Sequence, residues 1–333
     1  MRGGLKVAIV GAGLMGRWHA HYAVRAGAQI AAIVDRNATS SRTLRSRYPT
    51  ARFFGDFREC LGEMKFDIVH VCTGTESHTE LTLEALRGGK HVLVEKPVAG
   101  SAAETRRLVE FARQADLRLC PAHQFPFQSG FRRARRGLEL LGELLSVDFH
   151  TCTAGGEGRP PSDRREVIKE ILPHPLSLFR ALGLSLEIRE YHLNHSCDKL
   201  RINSFGDRDP SLGITIDLRG RPTRNELDLI GTRGSVYVDL YHGFCTFDRG
   251  ATTRGAKIAR PFRRGAALFG TAAVNLAIRT IRGEPAYPGL GRLIREFQES
   301  IRSGGRSPIG DEEMVEVAVT MDRVVDDMGV SQE

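Results

Sequence analysis

Short apolar runs alternate with segments of helical periodicity over the first third of the chain. Strands are predicted at Lys6 to Val10, Gln29 to Val34, Ala51 to Phe54, Phe66 to Cys72, His91 to Val94 and Leu117 to Cys120. Strands separated by helix-length segments imply a parallel sheet wound by crossover helices. Two of those helices carry start signals, Ser77 with Glu80 and Ser101 with Glu104, each with the spacing of a capping box. Gly88-Gly89 supplies a stop signal for the first of them. After Pro121 the pattern changes. A helix near Phe131 to Leu141 precedes an alternating run from Leu144 to Cys152, and strands then follow strands at Leu186 to Asn194, Leu212 to Leu218, Glu226 to Ile230 and Ser235 to Leu240. Gly231 to Gly234 reads as a hairpin turn. The basic, Pro-containing stretch Gly156 to Arg165 and the Gly/Arg-rich stretch Arg249 to Gly265 read as interruptions, and helices at Leu290 to Ser303 and Glu312 to Asp327 complete the pattern. The expected division is residues 1–121, α/β and doubly wound, and residues 122–333, α+β.

Composition narrows the class. With 333 residues, 41% hydrophobic and 26% charged, the chain has the make-up of a soluble globular protein of about two domains. The longest uncharged stretch, residues 265–278, is too short to span a bilayer and includes Asn275; it suits a helix that is buried or faces another subunit better than one lying on a membrane. With no separate apolar leader, a cytoplasmic location is expected. The six cysteines (Cys60, Cys72, Cys120, Cys152, Cys197, Cys245) are scattered, which suggests reduced structural thiols, and no metal-ligand spacing is spelled out. The net charge of +8 rests on 41 arginines against seven lysines. Spread along the chain without a nucleic-acid motif, they do not imply a nucleic-acid partner.

The first chemical signal is Gly11-Ala-Gly13-Leu14-Met15-Gly16, which follows a strand and opens a helix. In such a loop the first glycine makes the turn, the second lets a pyrophosphate approach the backbone, and the third lets helix and strand pack closely. Asp35, nineteen residues after Gly16 at the end of the second strand, is placed to accept from ribose hydroxyls. Its charge favours NAD over NADP, although Arg36 beside it offers a guanidinium to a 2′-phosphate. Thr73 and Glu95, at the ends of the fourth and fifth predicted strands, complete the candidate cofactor set.

The second signal is Gly89-Lys-His-Val-Leu-Val-Glu95-Lys96-Pro97, a strand that delivers a carboxylate and an amine at its C-terminal end, where open α/β sheets bind ligands. Together with the glycine motif and Thr75-Glu-Ser-His78 before a helix, it resembles the Gfo/Idh/MocA family of oxidoreductases, closely over roughly the first 121 residues and loosely beyond them. The resemblance implies a Rossmann domain followed by an α+β domain with a large, open, mostly antiparallel sheet that serves substrate binding and oligomer contacts. It also implies a cis peptide before Pro97 and a lysine, here Lys96, acting on the substrate hydroxyl. A partly desolvated lysine beside a positive nicotinamide can exchange a proton near neutrality.

The family's second element, an aspartate four residues before a histidine, maps onto Glu170 and His174. His174 would share acid–base work with Lys96, and Glu170 would orient it or bind a neighbouring hydroxyl. Pro173 and Pro175 place Glu170 in a turn leading into the helix. The segment departs from the family pattern at Glu170, at Leu172 where Gly is frequent, and at Ser177 where a second Asp is common, so substrate specificity is not carried over. Ser177 and Gln124, with Lys96 and His174, form the candidate substrate set. His19 and His78, each near a helix start, read as structural histidines supporting the site.

These residues lead to an expected NAD(P)-dependent oxidoreductase, a homodimer or tetramer without a nucleic-acid or membrane partner. It would pass a hydride between nicotinamide and a secondary alcohol or ketone carbon of a sugar, cyclitol or nucleotide-linked keto-sugar. Two alternatives remain at this point: transient oxidation by tightly held NAD to drive elimination or glycoside cleavage, and a non-catalytic sensor.

Overall fold

Val7, Ala8, Ile9 and Val10 are all buried, and so unbroken an apolar run marks a parallel strand covered on both faces. The computed structural model describes residues 4–186, 191–196, 198–204, 210–250 and 253–330. Its first sheet holds β1 (Lys6–Val10), β2 (Gln29–Val34), β3 (Arg52–Phe54), β4 (Ile68–Val71), β5 (His91–Val94) and β6 (Leu119–Pro121) in the order β3-β2-β1-β4-β5-β6. All of its pairings are parallel. The crossovers carry α1 (Leu14–Arg25), α2 (Ala38–Arg47), α3 (Phe57–Glu63), α4 (His78–Arg87) and α5 (Ala102–Gln114). The strand order reverses between β1 and β4, which opens a crevice at their C-terminal ends.

The capping signals are realised differently. At α5 the Ser101 hydroxyl accepts from the Glu104 amide at 3.2 Å. Ser77 does not cap α4. Residues Thr75–Ser77 form a 3₁₀ turn, and the Ser77 hydroxyl donates to Thr73 Oγ1 (2.8 Å) and to the Gly74 carbonyl (2.9 Å). Glu80 instead pairs with Arg58 across the surface.

The second sheet is mixed. After α6 (Ser129–Arg136) come β7 (Leu144–Cys152), α7 (Pro161–Ile171), α8 (Pro173–Ala181), β8 (Tyr191–Ser196), β9 (Lys199–Ser204), β10 (Ser211–Asp217), β11 (Arg224–Gly231), β12 (Gly234–Asp239) and β13 (Phe244–Arg249). They are ordered β13-β12-β11-β7-β10-β9-β8, antiparallel except where β10 runs beside β7. Its core includes Phe149, Phe179, Leu227 and Val238. The helix expected from Phe131 stops at Gly137 and continues as a 3₁₀ turn, Leu138–Leu141.

Three expectations give way. The Pro-containing stretch at Gly156 to Arg165 becomes α7 from Pro161 onward, because a proline in the first helical turn lacks an amide that would go unpaired anyway. From Arg254 onward the Gly/Arg-rich stretch is the start of α9 (Arg254–Ile281), a 28-residue helix with Pro261 inside it; residues 251–252 of that stretch lie outside the described residues. Finally, α10 (Leu290–Ser303) packs on α1, with the Gln298 amide donating to the Ala23 carbonyl at 3.3 Å. Asp322 of α11 (Asp311–Val330) accepts from the Ala102 amide at 2.7 Å. The chain therefore groups as residues through His123 plus Leu290–Asp322 in one unit, and Gln124–Gly289 with the residues from Arg323 in the other. The sequence division at residue 121 left that returning segment with the second domain.

Cys197 and residues 187–190 of the strand expected at Leu186 to Asn194 lie outside the described residues. The other five cysteines are unpaired and buried. Burial pushes the Cys60 and Cys120 thiols up to about 12, which keeps them unreactive near neutral pH.

Candidate functional site

The glycine loop is shaped by close backbone approach. Gly11 has φ +94°, and a Cβ there would lie 2.6 Å from the Cys72 carbonyl oxygen; one on Gly16 would overlap the Gly11 carbonyl. Both positions bring β1, β4 and α1 together at the crevice. At Gly13 the situation is opposite, since that residue is exposed and a Cβ would meet nothing within 4 Å. Gly13 is the N-cap of α1 and offers no side-chain cap, so the first-turn amides face outward beside open space. Leu14 is exposed and Met15 half-buried on that turn. The Asp35 carboxylate accepts from the Ala12 amide and from the Asn37 amide, each at 2.7 Å, which fixes it beside the loop. Arg36 next to it is exposed. Open backbone at Gly13, the uncapped amides of the α1 N-terminus and a carboxylate held beside them are the features that pyrophosphate and ribose require of a dinucleotide cradle.

Lys96 is two residues past the end of β5, half-buried, and the Lys96–Pro97 peptide is cis. Its surroundings are pinned from both sides. The buried His78 at the start of α4 puts Nδ1 2.7 Å from the Pro97 carbonyl and Nε2 3.1 Å from the Thr73 carbonyl, tying the loop after β5 to the loop after β4. On the inner side, Glu95 accepts from the Lys96 amide at 3.3 Å. Its other oxygen lies 3.0 Å from His19 Nε2, and His19 Nδ1 is 3.2 Å from His70 Nδ1. Burial opposes the charge on Glu95, but the His19 hydrogen bond and the nearby His19 and Lys96 charges hold its carboxyl below the usual range. Burial and the neighbouring His19 charge push His70 well down. His123, also buried, is pushed down to about 4, by burial first and by the Lys96 charge second, with Glu95 opposing.

The remaining candidates belong to the second unit. His174 lies in the first turn of α8 with its ring stacked on Phe125, centroids 4.3 Å apart and planes 20° from parallel. Gln124 is buried immediately before Phe125. Ser177 is fully buried, and its hydroxyl donates back to the His174 carbonyl at 2.9 Å, bracing the turn that carries His174. Glu170 is not in a turn; it is exposed on the last turn of α7. The prolines do not unwind that helix, since α7 stops at Ile171 and Pro173 starts the next one, where its missing amide is tolerated.

Phe125, His70 and the pairing of His19 with Glu95 carry no local sequence signal. Strand order brings His70, His19 and Glu95 together, and Phe125 meets His174 through the start of α8. No group of three or more His, Cys, Asp or Glu among the described residues is placed to hold a metal ion, and no described helix is long and apolar enough to cross a membrane.

Residues 5–123 match the oxidoreductase family with an NAD-binding Rossmann fold. Over 118 residues the chain is 36% identical to inositol 2-dehydrogenase of Paracoccus denitrificans, covering 34% of this chain and 35% of that protein. Over 148 residues it is 35% identical to D-glucoside 3-dehydrogenase of Escherichia coli, covering 44% and 35%. The chain thus spans about a third of the length of these relatives. Among solved structures, the WlbA dehydrogenase of Bordetella pertussis, in complex with NADH and UDP-GlcNAcA, superposes with a TM-score of 0.77 at 14% identity, over 98% of this chain and 97% of that one. UDP-N-acetylglucosamine 3-dehydrogenase from Acidithiobacillus ferrooxidans gives 0.74 at 17% identity, over 97% of each. At these identities the likeness is one of fold.

Proposed function

Since its Rossmann domain belongs to the Gfo/Idh/MocA family of oxidoreductases, we propose that the chain is an NAD-dependent dehydrogenase or reductase. Its substrate is a polyhydroxylated ring, of sugar or cyclitol type, carrying a secondary alcohol or the matching ketone. The observation that carries this reading is the position of Lys96, past the end of β5 and one strand over from the crevice where the open Gly13 cradle and Asp35 lie. NAD, when bound, supplies a nicotinamide ring able to accept or return a hydride. In the oxidising direction the Lys96 amine takes the hydroxyl proton, and in the reducing direction the ammonium returns it to the new alkoxide. Glu95 and His78 position that amine through its own backbone and through Pro97. Within the second unit, His174 is a candidate for acid–base work and Glu170 for binding a hydroxyl. Inositol and D-glucoside, the substrates named in two sequence relatives, share the ring secondary alcohol that this chemistry requires.

The test follows NADH and NADPH absorbance with a panel of cyclitols, glucosides and nucleotide-linked sugars, using wild type, Lys96→Ala and His174→Ala. Turnover in Lys96→Ala is expected to fall by about 10²–10⁴-fold while NADH still binds. Equal turnover in Lys96→Ala and wild type removes the lysine from the reaction. Tightly held NAD with substrate conversion but no net NADH points to transient oxidation, and binding without turnover in any variant points to a sensor.

A further inference from the structure

Helix α9 has its apolar side turned away from the protein. Arg260 donates to Asp248 at 2.6 Å, and Asn275 and Arg279 each donate to the His242 carbonyl at 2.9 Å. Arg260, Arg263 and Arg264 also line a cavity of about 450 Å³ opposite Asp228, Tyr237 and Asp248 of the sheet. These five polar and cationic residues therefore face inward. No residue of α9 is buried, and Ile258, Phe262, Phe269 and Leu276 are 75%, 80%, 79% and 66% exposed. A contiguous uncovered row of large apolar side chains marks a contact surface.

The spacing of the row identifies what covers it. Positions 258, 262, 265, 269, 272 and 276 alternate steps of four and three, the seam of a helix that packs lengthwise on another helix. Along that seam large and small residues alternate, with Phe262, Phe269 and Leu276 separated by Gly265 and Ala272. We propose that α9 is a self-association surface, through which two copies of this chain pair antiparallel about a two-fold axis near Ala267. In that register Phe262 meets the partner's Ala272, Phe269 meets the partner's Gly265, and Leu276 meets the partner's Ile258. Every phenylalanine then fills the space over a residue with little or no side chain, and symmetry makes each contact twice.

The four large side chains offer roughly 600 Å² of apolar surface, and with the glycine and alanine ridge between them the seam approaches the ~800 Å² that each partner gives a stable interface. A bilayer surface is the poorer match. It does not select a large–small alternation, and Arg260, Arg263 and Arg264 are directed at the sheet instead of flanking the apolar row, where lipid head groups would lie.

Sedimentation velocity on the full chain tests the proposal. Wild type is expected to sediment as a dimer at micromolar concentration, and Phe262→Glu/Phe269→Glu to dimerise at least about thirtyfold more weakly. Both positions are exposed, so the variant keeps its fold, which far-ultraviolet circular dichroism and NADH binding monitor. Register is read with single-cysteine variants. Residues 262 of the two copies lie about 15 Å apart along the seam, so Phe262→Cys or Ala272→Cys alone forms no intersubunit disulfide, whereas an equilibrated mixture of the two does. The proposal is overturned by a monomeric wild type, by a dimer that the double variant leaves unchanged, or by cross-linking of either cysteine variant alone and not of the mixture. Binding of a monomeric chain to phosphatidylglycerol vesicles, lost in the double variant, would assign the row to a membrane instead.

Discussion

Asp35 uses both carboxylate oxygens on backbone amides, Ala12 and Asn37, yet each oxygen keeps a lone pair for a ribose hydroxyl. Its negative charge also disfavours a 2′-phosphate. Asp35→Asn is therefore expected to shrink the preference for NADH over NADPH by about tenfold, the effect of relieving one charge repulsion at the protein surface; dissociation constants of both nucleotides, read by fluorescence, check this. His123 sets a pH limit of another kind. It is buried and neutral when folded, with its value pushed down to about 4, whereas the unfolded chain takes up that proton near pH 6.5. The unfolded state binds the extra proton, so stability is full above pH 6.5 and declines as pH falls towards 4, by roughly 3 kcal/mol in all. Urea midpoints at pH 7.5 and 4.5 are expected to differ less in His123→Gln than in wild type; an unchanged difference would show that His123 does not set the slope.

At the scale of elements, end signals decide where helices begin. Asp56 caps α3 by accepting from the Arg58 and Glu59 amides, and Asp56→Ala is expected to cost about 1 kcal/mol, measurable as a lowered urea midpoint at constant slope. Signals of this local kind were readable where one stretch of chain contains the whole device. The Gly11 to Gly16 loop, Asp35 and the strand leading to Lys96 are examples, because each works through its own backbone and the next element. The same local reading failed where punctuating residues sit inside helices. Gly255, Pro261 and Gly265 belong to α9, and Pro161 and Pro173 open helices instead of breaking them. Glu170 was misplaced for that reason. The chain of His70, His19 and Glu95 could not be read at all, since its members come from β4, α1 and the end of β5, and only the strand order brings them within hydrogen-bonding range.

Across the whole molecule, the strand order of the first sheet follows from a regular alternation that every segment repeats, which is why its architecture was visible in sequence. The second sheet needed more, because β10 pairs parallel with β7 across an interval containing two helices and two strands. Neither pattern hinted that α10 belongs with α1. Here Gly291 lies against the Tyr22 ring and Gln298 reaches the Ala23 carbonyl, so a face of α1 is completed by residues that follow it far along the chain, Gln298 by 275 positions. That arrangement constrains how the protein is made. A ribosome releases all six strands of the first sheet by the time residue 121 has emerged, and domains ordinarily fold as they leave it. Of the two units, the one that emerges first must wait, with one helix face uncovered, until most of the other has been synthesised and the chain returns to close it.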